Sequence, residues 1–64
     1  MSNITKEWFR NMYEENIKEA KAAISNERLW LKGADTEEAI FAHESNIATL
    51  EEYIEELKER VDNL

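Results

Sequence analysis

The stretch IFAHESNIATLEEYIEELKERVDNL, residues 40–64, decides the fold. Its apolar positions recur in alternating three- and four-residue steps, at Ile40, Ile47, Ile54 and Val61 and, between them, at His43, Leu50, Leu57 and Leu64. An α-helix turns once in 3.6 residues, so this spacing holds one continuous stripe against a neighbouring helix. The first set takes heptad position a and the second takes d. His43 is the one polar residue in the seam, where a polar group serves to specify register.

Upstream of the seam the helix needs a beginning, and residues 31–38, LKGADTEE, supply one. Gly33 is the only glycine and the chain has no proline, so this is the single obvious break. A glycine suits the left-handed position that closes a helix. Asp35 followed by Glu38 reads as an N-cap with its capping-box partner. A turn of about three residues forces antiparallel neighbours.

Residues before the break form a second stripe. Phe9, Met12, Tyr13, Ile17, Ala20, Ala23, Ile24, Trp30 and Leu31 fall within one arc of roughly 140° when placed at 100° per residue. Asn16 and Glu27 interrupt it. Asn3 or Thr5 suits the opening cap. Ile4, Trp8, Leu29 and, on the second helix, Phe41 lie off the arcs. The expected fold is all-α: one domain, residues 1–64, an antiparallel helical hairpin with helices over about 4–32 and 36–62 and a turn at about 33–35.

A chain of 64 residues buries only ~60% of the surface its unfolded form exposes. Disulfides and metals ordinarily compensate in small domains, but this chain has no cysteine and one histidine. Oligomerisation remains. A lone hairpin leaves one side of each stripe wet, so two copies closing into a four-helix bundle is the expected assembly, with the eight a and d residues as its oligomer interface. An open parallel zipper is disfavoured, because its g-to-e pairs would be Asn46 with Glu51 and Tyr53 with Lys58, neither an ion pair.

The net charge of −7 is unevenly placed. Residues 1–33 carry six Lys and Arg against five Glu, while residues 34–64 carry two against ten acids. Phosphate recognition needs the opposite sign, which argues against direct nucleic-acid binding and against an anionic membrane. Arg10, Lys21, Arg28 and Lys32 flank the first stripe, and Glu44 and Glu51 flank the second, so the helices are electrostatically suited to lie together. The first ten residues lack the apolar region of a secretory signal, and no apolar run approaches the ~20 residues of a membrane span. The sequence therefore predicts a cytoplasmic protein, in the host cytoplasm if a phage encodes it.

Chemistry is absent from the pattern. His43 lacks a Glu three residues before it, the spacing of carboxylate metal sites in bundles, because Ile40 stands there. Ser25, Ser45, Thr5, Thr36 and Thr49 have no adjacent base, and one glycine cannot build a phosphate loop. No enzyme activity, cofactor or metal is predicted.

What remains is surface. Glu44, Glu51, Glu52, Glu55, Glu59 and Asp62 cluster on one side of the second helix. The helix does not need them there: Glu55 and Glu59 repel at i, i+4, and acids in the last turns oppose the dipole. With Trp8 and Phe41 they form the candidate partner surface. The sequence predicts a small acidic interaction or structural module that pairs with itself. The alternative is an inhibitor of the kind phages and mobile elements use, whose acidic helix imitates nucleic-acid phosphates and blocks a basic, DNA-binding protein. Against both stands the plain reading of the acids as a solvated face.

Overall fold

A computed structural model describes residues 3–64, with side chains from residue 5 onward. Two helices, α1 (Asn3–Gly33) and α2 (Glu37–Asp62), pack along each other as a hairpin. The molecule is a rod, with Cα extents of 53 × 15 × 10 Å. Thr5 lies inside α1 and is not its cap, and the side chains of Asn3 and Ile4 fall outside the described residues.

The turn departs from the sequence reading in two details. Gly33 is the last residue of α1 and does not adopt a positive φ. The helix instead closes by a tightened last turn, in which the Ala34 N–H donates to the Leu31 carbonyl at 3.2 Å. The N-cap of α2 is Thr36 and not Asp35. Thr36 is extended (φ −120°, ψ 149°), and its Oγ1 accepts from the Ala39 N–H at 3.1 Å. Three residues beyond Thr36 stands Ala39, so Glu38 is displaced from the capping-box position. Glu37 and Glu38 still sit in the first turn, where the helix dipole favours them. At the other end the Asn63 N–H donates to the Glu59 carbonyl at 3.1 Å, and Arg60 lies in the last turn.

The core sits midway along the rod. Ala20, Ile24 and Ile54 form a buried cluster with Ile17, Ile47 and Leu50 packed against it, and Leu57 is 2% exposed. Ala20 has only a methyl group to bury, which lets the helices approach closely here. Towards the open end aromatic rings take over. Phe9 lies edge-on to Trp8 at 5.1 Å between ring centroids and stacks on Tyr13 at 6.3 Å. Such pairs contribute about 0.5–1.5 kcal/mol each beyond their burial.

Trp30 corrects the expected burial. Placed on the apolar arc by sequence, it is 68% exposed. It stands at the edge of the arc, about 70° from its centre, where a single neighbouring helix gives only partial cover. Only Ala20, Ile24, Ile54 and Leu57 among the described apolar residues are buried. No described helix is long and apolar enough to cross a membrane.

Candidate interaction surfaces

The a and d residues of α2 serve the hairpin's own packing first. Ile54 and Leu57 are buried against α1, while Ile47, Leu50, Val61, Leu64 and His43 are half-buried and Ile40 is exposed. The seam read as an oligomer interface is thus largely occupied within one chain.

His43 has an in-chain partner. Its Nδ1 lies 2.6 Å from Glu27 Oε2, and Asn46 Nδ2 donates to the same oxygen at 3.4 Å. A carboxylate can only accept, so Nδ1 carries the hydrogen. That hydrogen bond holds the Glu27 carboxyl below its ordinary pKa; partial desolvation opposes it, and the Asn46 bond and the attraction to His43 reinforce it. By sequence alone Glu27 is an irregularity in its stripe. The signal is present in the sequence: of the two polar intrusions in the first stripe, Asn16 and Glu27, it is Glu27 that stands as far from Asp35 at the turn as His43 does in the facing stripe. In an antiparallel hairpin, equal distance from the turn means the same level.

The acids predicted for a partner surface, Glu44, Glu51, Glu52, Glu55, Glu59 and Asp62, are all exposed. Glu51, Glu52, Glu55 and Glu59, with Glu56 and Ala48, line one shallow depression along α2. Lys58 Nζ approaches Glu55 Oε1 at 3.7 Å, an exposed pair of ~0–1 kcal/mol. Beside this face a groove runs between the helices, lined by Lys21, Ile24, Ser25 and Arg28 of α1 and by Glu51, Ile54, Glu55 and Lys58 of α2. Opposite charges face across it. Among the described residues, however, no Lys or Arg of α1 comes within 4.0 Å of an α2 carboxylate. The electrostatic match across the hairpin is therefore diffuse, without direct pairs.

Trp8 and Phe41, which lie off the arcs, are 61% and 72% exposed. Leu29, also off the arcs, is 66% exposed, and the exposed apolar set extends to residues that the sequence places on the stripes, Trp30, Phe9 and Ile40. Leu29, Trp30, Ile40 and Phe41 ring the turn end, two on each helix.

The hydroxyls offer little for chemistry. Ser25 Oγ donates to the Lys21 carbonyl at 3.3 Å, Thr49 Oγ1 to the Ser45 carbonyl at 3.0 Å, and Thr36 caps α2. Among the described residues no group of three or more His, Asp or Glu side chains is placed to hold a metal. With these surfaces laid out, comparison with protein-family models, curated proteins and solved structures returns no match for the chain.

Proposed function

We propose that the chain is a small interaction or structural module that pairs with a second copy of itself, its two hairpins closing a four-helix bundle. The observation that carries this reading is the mismatch between core and surface. Among the described residues four apolar ones are buried, whereas Trp8, Phe9, Leu29, Trp30, Ile40, Phe41 and Tyr53 are exposed. Scattered single apolar residues on a surface are ordinary, but seven large ones on a two-helix rod mark surface that an association covers. The chain has no cysteine for a disulfide, and among the described residues no cluster of metal-ligating side chains offers the alternative route to stability. On this reading the protein binds and does not catalyse, and it works without a cofactor. Sedimentation equilibrium from micromolar to near-millimolar concentration tests it. The expected result is a dimer whose helicity falls as it is diluted; a well-folded monomer throughout that range would overturn it.

A second reading is favoured by the row of exposed carboxylates at Glu51, Glu52, Glu55, Glu56 and Glu59, of which only Glu55 has a cation within 4.0 Å among the described residues. Successive carboxylates about 5–6 Å apart along a helix imitate a line of phosphates. In this reading the module is an inhibitor that occupies the nucleic-acid site of a basic protein. Reversing Glu51, Glu55 and Glu59 to Lys separates the two. A cellular partner that the wild type captures and the folded triple variant releases supports imitation, whereas unchanged capture supports the plain module.

A further inference from the structure

We infer that the second copy docks on one particular flank of the hairpin, the one carrying Trp30 and Tyr53, and leaves the charge-lined groove on the other flank open. This rests on the self-pairing reading above and adds which face performs it.

The two flanks differ in chemistry. Measured from the direction in which each helix faces its neighbour, Trp30 and Met12 of α1 and Tyr53 of α2 lie about 70–80° to one side, with Trp8 about 40° further round, at the outer edge of the flank. Asn46 belongs to this flank too, which is where it reaches Glu27. Within about 100° on that side, apart from the paired Glu27, the only charged residues are Glu19 and Arg60. The opposite flank holds Lys6, Arg10, Lys21, Arg28, Glu51 and Lys58 over the same angle, four of which line the groove. Covering that flank would take those charges out of water, at a cost that diffuse pairing does not offset. Covering the Trp30 flank removes aromatic surface and leaves Glu19 and Arg60 at a wet rim.

Area points to a second copy as the occupant. A compact monomer of this mass exposes about 4,300 Å². This chain exposes 5222 Å², an excess of about 900 Å², and one side of a standard two-protein interface buries about 800 Å². Trp30 and Tyr53 are 68% and 41% exposed, on the order of 250 Å² of aromatic surface, about a third of that requirement from two residues. Near the middle of the flank Ala23 is half-buried and small, so a neighbouring helix can approach closely there.

Two measurements on the full chain decide the matter. In a Trp8→Phe variant Trp30 is the sole indole. Its emission should shift to the blue and its quenching by iodide should fall as concentration rises through the dimerisation range. In a Trp30→Glu/Tyr53→Glu variant the sedimenting mass should drop from twice the chain mass to the chain mass of 7.6 kDa. A dimer in which iodide quenches Trp30 like free indole overturns the assignment of the flank while self-pairing stands. A double variant that still dimerises does the same. A monomeric wild type overturns both. The quenching experiment leaves Trp30 and Tyr53 intact, so it decides even where the doubly acidic variant fails to fold.

Discussion

His43 Nδ1 donates to Glu27 Oε2 at 2.6 Å, joining the one polar residue of the α2 seam to the one acid in the α1 stripe. Each would be a fault in its own helix. Together they cancel, because in an antiparallel hairpin they meet at one level, and Asn46 adds a second donor to the same oxygen. A slip of α2 along α1 by one turn would leave both half-buried and unpaired, so the contact sets the register of the hairpin.

The pH dependence follows from the same contact. The carboxyl of Glu27 is held below its ordinary pKa by the His43 hydrogen bond. In the unfolded chain Glu27 takes a proton near pH ~4.3, before the folded form does. Its contribution is therefore complete above that value and is lost as pH falls through the lower folded value. Urea melts of the wild type and Glu27→Gln between about pH 5 and 3 should show the wild type's advantage shrinking as acid is added. An advantage unchanged across that window would mean that the carboxylate's charge is not what His43 recognises.

Burial divides the apolar residues sharply, and truncation should follow the division. Leu57 is almost fully buried, so Leu57→Ala should cost about 2–5 kcal/mol through lost burial and the cavity left behind. Leu29 points away from α2 and is 66% exposed. Leu29→Ala should stay within about 0.5 kcal/mol. Denaturant midpoints at one protein concentration make the comparison, and equal losses at the two sites would contradict the packing described.

Much of this architecture is legible in the sequence because it depends on period and punctuation. The three- and four-residue steps from Ile40 to Leu64 identify α2 as a helix with a packed stripe, and the lone Gly33 locates the turn. What the residues do not disclose is set by geometry that spans both helices. Trp30 belongs to the apolar arc by angle, yet a single neighbour covers only the centre of that arc. Glu27 appears as a blemish until His43 is known to stand opposite. The cap shifted by one residue because Asp35, Thr36 and the following acids all suit a helix start, and the path of the chain out of α1 selects among them. The acidic residues occupy the exposed side that periodicity assigns them, since charge on a solvated face follows from the stripe behind it.

Thr36 and Asp35 offer a direct comparison at neighbouring positions. The Thr36 hydroxyl accepts from the Ala39 N–H at 3.1 Å. Thr36→Ala should therefore remove about 1 kcal/mol of stability, while Thr36→Ser keeps most of it. Asp35→Ala should change stability by only a few tenths of a kcal/mol, since that side chain makes no cap. Melting curves of the three variants suffice, and a larger loss at Asp35 than at Thr36 would move the start of α2 back by one residue.

Gly33 carries the sharpest reversal of an expectation from sequence. A left-handed glycine at a helix end resists replacement, because any Cβ would be strained there, and Gly33→Ala would then destabilise the hairpin. Gly33 instead completes α1 without a positive φ, and a Cβ built on it meets nothing within 4 Å. Alanine fits that backbone and restricts the unfolded chain more than glycine does. Gly33→Ala should stabilise the protein by about 0.4–1 kcal/mol, read as a raised urea midpoint with an unchanged slope. A lowered midpoint would show that the end of α1 depends on a conformation only glycine can adopt.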